Sequence, residues 1–115
     1  MTEAATGTLD EQLQALRRRA DEDFADPPAT RTGNRHQVDI VELGLRVSVT
    51  RSLYRNRPGG HDQYAVTISR SSLDRVPDAG EVEVVLGSLF GIAAAEAQER
   101  TGGPLVRLYR VASAT

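Results

Sequence analysis

The chain has no cysteine, no tryptophan and no lysine; all fourteen of its basic residues are arginine. The missing thiols exclude disulfides, thiolate zinc sites and cysteine nucleophiles, and suit a reducing cytoplasm. The missing amines exclude Schiff-base chemistry, a lysine general base and the lysine of a phosphate loop. A GC-rich genome, which favours Arg, Ala, Gly and Val codons, is the simplest cause of this composition. The longest uncharged apolar run is too short to span a bilayer, and the opening MTEAATGTLDEQ is acidic and polar, unlike a signal peptide. A cytoplasmic protein without a membrane partner is the expectation.

The 115 residues suffice for one domain with a single core. Residues 1–7 contain nothing apolar enough to tie them down and are expected to be disordered, leaving 8–115 as a single α+β domain. Thr8 and Glu11 form the pattern of a capping box, and Leu9, Leu13, Leu16, Ala20 and Phe24 follow at steps of three and four. This predicts an amphipathic helix of about four turns, stopped by Asp26, Pro27 and Pro28.

From His36 the period becomes two. Leu45, Val47, Val49 and Leu53 alternate with Arg46, Ser48, Thr50 and Ser52, as in a half-buried strand. Upstream, Val38 and Ile40 stand in one phase and Val41 and Leu43 in the other. The slip at Glu42 to Gly44 means either one strand with a bulge or two strands joined by a tight turn, and two pieces are favoured. Arg55 to Asp62 (RNRPGGHD) is a turn, after which Gln63 to Arg70 returns antiparallel. A last strand is read at Leu105 to Val111.

The stretch Asp78 to Gly103 reads as one long helix. Asp78 and Glu81 again form a capping box, Val84 to Ala95 are twelve residues without a charge, and Gly102, Gly103 and Pro104 supply a stop. The expected fold is an antiparallel sheet of three to four strands covered on one face by two helices, in the order α-β-β-(β)-α-β.

Three groups of residues are candidates for chemistry. The charge is uneven: residues 31–76 carry four acids and eight Arg, although the whole chain is net −2. Arg51, Arg55, Arg57, His61 and Arg70, with Arg46, make the hairpin a candidate anion or nucleic-acid site, since Arg forks and a Gly-rich turn suit phosphate oxygens. The alternative is that the basic sheet is neutralised inside the fold by acidic helices. A second group, His36, Asp39, His61 and Asp62, lacks the three or four converging ligands of a metal site, so neither metal nor cofactor is expected. Gly87-Ser88-Leu89-Phe90-Gly91 is not a nucleophile elbow, and Ser48, Ser52 and Ser69 alternate with apolar residues as a solvent face would. In the third group, Gly87, Gly91 and Ala95 lie four apart, with Phe90 and Ala94 widening the apolar arc. That stripe admits either another element of the chain or a second subunit.

The order helix, three strands, helix, with the loop Pro58-Gly59-Gly60-His61 followed by Tyr64 and Val66, resembles the double-stranded-RNA-binding domain, whose Gly-Pro-x-His loop enters the minor groove. The resemblance implies RNA contact through this loop. It also calls for a basic start to the second helix, where this chain has Asp78, Glu81 and Glu83, which repel phosphate. The expected function is therefore a small non-enzymatic interaction module. A homodimer or another protein is its expected partner, and nucleic-acid binding is the alternative.

Overall fold

The computed structural model describes residues 8–22, 30–32, 35–54, 61–101, 103 and 105–112. Helix α1 (Leu9–Glu22) begins as its sequence dictates: the Glu11 N–H donates to Thr8 Oγ1 at 3.2 Å, and the Thr8 N–H donates to Glu11 Oε1 at 3.1 Å. Leu13, Leu16 and Ala20 are fully buried from its inner stripe. Residues 1–7 and Phe24 lie outside the described residues.

The phase slip is a turn between two strands. Strand β2 (His36–Ile40) ends in residues 41–44, where Gly44 takes φ +62, and β3 (Leu45–Tyr54) returns. Val38 pairs with Val47 and Ile40 with Leu45, so both strands point their apolar residues to one face. Strand β4 (His61–Arg70) pairs with β3 from Leu45 opposite Arg70 to Tyr54 opposite His61. Strand β6 (Val106–Ala112) lies on the far side of β4.

Two further strands bring the antiparallel sheet to six strands among the described residues, against the three to four expected. Strand β1 (Thr30–Thr32) pairs with the end of β3, and β5 (Gln98–Thr101) flanks β6. Each is short and polar, the composition that protects a sheet edge. The same composition removes the alternation by which a strand is recognised. The order is β1-β3-β4-β6-β5, with β2 beside β3 as well.

The single long helix is corrected. Helix α2 is Ala79–Phe90, ending at Gly91 in the left-handed conformation (φ +68), whose N–H donates to Gly87 O at 2.8 Å. Its start is as expected: the Glu81 N–H donates to the Asp78 carboxylate at 2.8 Å, and the Asp78 N–H donates to Glu81 Oε1 at 3.0 Å. Beyond Gly91 the chain folds back on α2, with the Ala94 N–H donating to Glu83 Oε1 at 3.1 Å before a 3-10 turn (Ala94–Glu96) leads into β5. Gly103 lies in the β5–β6 connection and ends no helix.

The last carbonyls of α2 find their donors on α1. Gln14 Nε2 donates to Ser88 O, and Arg17 Nη1 donates to Leu89 O at 2.9 Å. The last turn of α2 has no basic residue of its own, so Arg17 also places a positive charge at the negative end of its dipole. Gly91→Ala should therefore cost about 1 kcal/mol, because a Cβ is disfavoured at that φ, without altering the near-UV spectrum. Urea denaturation checks it, and an unchanged midpoint would mean that Gly91 does not set the helix end.

The class is α+β, with both helices on one sheet face. α1 packs on β2, β3 and α2. Leu13, Leu16 and Ala20 of α1 join Val82, Val85, Leu86 and Leu89 of α2, Leu45, Val47 and Val49 of β3, and Val66 and Ile68 of β4 in one core cluster.

Candidate interaction surface

Of the arginines predicted as one anion site, Arg51 and Arg70 are described, and these two do not converge. Arg51 sits opposite Tyr64, and Arg70 opposite Leu45. The six-residue offset along β4 corresponds to roughly 20 Å of extended chain. Each is held by an acid from another element. Arg51 Nη1 meets Asp21 Oδ1 of α1 at 3.0 Å, and Arg70 Nη1 meets Glu81 Oε2 of α2 at 2.6 Å, with Asp74 at 3.9 Å from its Nε. Arg46 points to the opposite sheet face, where its Nε donates to Asp39 at 2.9 Å and that bond raises its pKa. Arg55 and Arg57 lie outside the described residues, and His61 is described only by its pairing with Tyr54.

Around Arg51 the two layers are joined by a polar and aromatic cluster. The Tyr64 hydroxyl donates to Asp21 at 2.6 Å, and its ring lies 4.9 Å from that of Phe90. The Arg17 guanidinium stands 5.5 Å from the Tyr64 centroid and 5.1 Å from the Phe90 centroid. Burial raises the Tyr64 pKa first, then the Asp21 bond and charge, while Arg51 and Arg17 oppose them. A phenol raised in the folded state contributes stability that is complete below its ordinary value of 10.0 and is lost as pH climbs through the folded value. Tyr109, also raised chiefly by burial, adds a loss of the same sign. Melting temperature followed from about pH 8 to 11, across the tyrosine range, should therefore fall less steeply for Tyr64→Phe than for the wild type. Parallel curves would refute the assignment.

Ser48, Ser52 and Ser69 lie on the face away from the helices, yet they are buried. They are flanked by neighbouring strands, Ser48 by Gln37 and Thr67, and this lateral crowding is what the expectation of a solvent face missed. Among the described residues no group of three or more His, Asp or Glu is placed to hold a metal ion.

The interface candidates divide in two. Phe90 and Ala94 are half-buried and pack against the core. Gly87, Gly91 and Ala95 are exposed, although Ala95 sits in the 3-10 turn and not on a continuous helical stripe. Among the described residues nothing lies within 4 Å of a Cβ added at Gly87, so neither α1 nor a described strand uses the space that this glycine leaves. Val84, which the sequence reading did not single out for this face, is 41% exposed one turn before Gly87. Its signal was available: it lies in the charge-free run, three residues before Gly87. The outer side of α2 after its first turn thus presents Glu83, Val84, Gly87 and Gly91, and the Glu83 carboxylate is already bonded to Ala94.

No protein-family model matches the chain, and neither a curated protein nor a solved structure is similar to it.

Proposed function

We propose that this domain is a non-enzymatic, cytoplasmic protein-interaction module that self-associates through the outer face of α2. The observation that carries the reading is Gly87. A glycine inside a helix costs about 1 kcal/mol relative to alanine, and among the described residues no neighbour compensates for it, since none approaches its Cβ position. Beside it, Val84 exposes apolar surface that a second copy would remove from water, and the absence of a side chain at Gly87 lets a partner backbone approach closely. The alternative, anion or nucleic-acid binding through the hairpin, rests on Arg55 and Arg57, because Arg51 and Arg70 already hold carboxylates.

The open space at Gly87 makes the test clean. Gly87→Ala should raise the stability of the folded chain by about 1 kcal/mol, and Gly87→Arg should leave it no less stable than the wild type, since both residues favour helix over glycine. Gly87→Arg should nevertheless abolish association, which sedimentation velocity over a range of concentrations reads directly. A wild type that stays monomeric at tens of micromolar, or a Gly87→Arg variant that associates as the wild type does, overturns the proposal. Gly91 is the poorer site for this experiment, because any side chain there strains the backbone at φ +68.

A further inference from the structure

We draw no further inference here: the strongest candidate, the exposed Val41, Leu73 and Val76 on the two turns bridged by the Ser71 N–H to Gly44 O bond at the end of the sheet away from the β3–β4 hairpin, is an unpartnered apolar surface and nothing in the structure shows what covers it.

Discussion

Tyr64→Ala is expected to destabilise the fold by about 4 kcal/mol, at the level of a truncated core aromatic. The Tyr64 side chain is 2% exposed and touches every layer: Asp21 and Arg17 from α1, Arg51 from β3, and Phe90 from the end of α2. Removing it leaves a cavity, frees the Phe90 ring on one side and takes one donor from Asp21. Tyr64→Phe separates these effects. It keeps the ring and both guanidinium contacts and loses only the hydroxyl bond, for which about 1 kcal/mol is expected, because Asp21 retains Arg51 and is partly solvated. Urea denaturation of the two variants decides the matter. Equal losses would place the energy in the hydroxyl bond, and a loss below about 1.5 kcal/mol for alanine would mean that the site collapses around the missing ring.

What the sequence reveals about this fold is what is local. The Thr8–Glu11 and Asp78–Glu81 boxes complete their bonds within four residues, so both helix starts stand in the structure where the pattern put them. The slip at Glu42 to Gly44 and the alternation on either side of the hairpin fix β2, β3 and β4 for the same reason. The end of α2 is different. Ile92 to Ala95 is charge-free and alanine-rich, so propensity argues for continued helix. The competing terms come from elsewhere: donors on α1 cap the last carbonyls, Ile92, Ala94 and Ala97 pack on the core, and β5 pairs with β6. No window around Gly91 contains those partners. With the helix shortened, Ala95 leaves the stripe that Gly87 and Gly91 began.

The same distinction governs the candidate sites. Counting charges along residues 31–76 shows a basic segment but not the acids that fold onto it. Asp21 lies thirty residues from Arg51, and Glu81 eleven from Arg70. The alternative raised by the charge pattern, acidic helices lying against a basic sheet, describes both pairs. At Gly87 the sequence showed a cost and left two explanations, packing within the chain or against another. Among the described residues none occupies the space beside that position.

The second large effect is expected at Glu81, whose two carboxylate oxygens do separate things. Oε1 accepts the Asp78 N–H and closes the capping box, and Oε2 accepts Arg70 at 2.6 Å. Both side chains of the pair are shielded, at 16% and 17% exposure, and Arg70 Nε is buried without a hydrogen-bond partner. Glu81→Ala should cost about 3 kcal/mol: near 1 for the cap, and the rest for leaving a shielded guanidinium with only the more distant Asp74. This falls at the low edge of the range for breaking fully buried pairs, because water reaches both partners. Glu81→Gln keeps an acceptor for the cap and removes the charge, so it should lie between alanine and wild type. Arg70→Met in the Glu81→Ala background should restore part of the loss, giving a coupling of about 2 kcal/mol in a double-mutant cycle. A coupling near zero would make this pair equivalent to an exposed ion pair. The start of α2 would then be held to the sheet by the apolar core and by the bond from Arg107 Nε of β6 to Pro77 O at 2.6 Å.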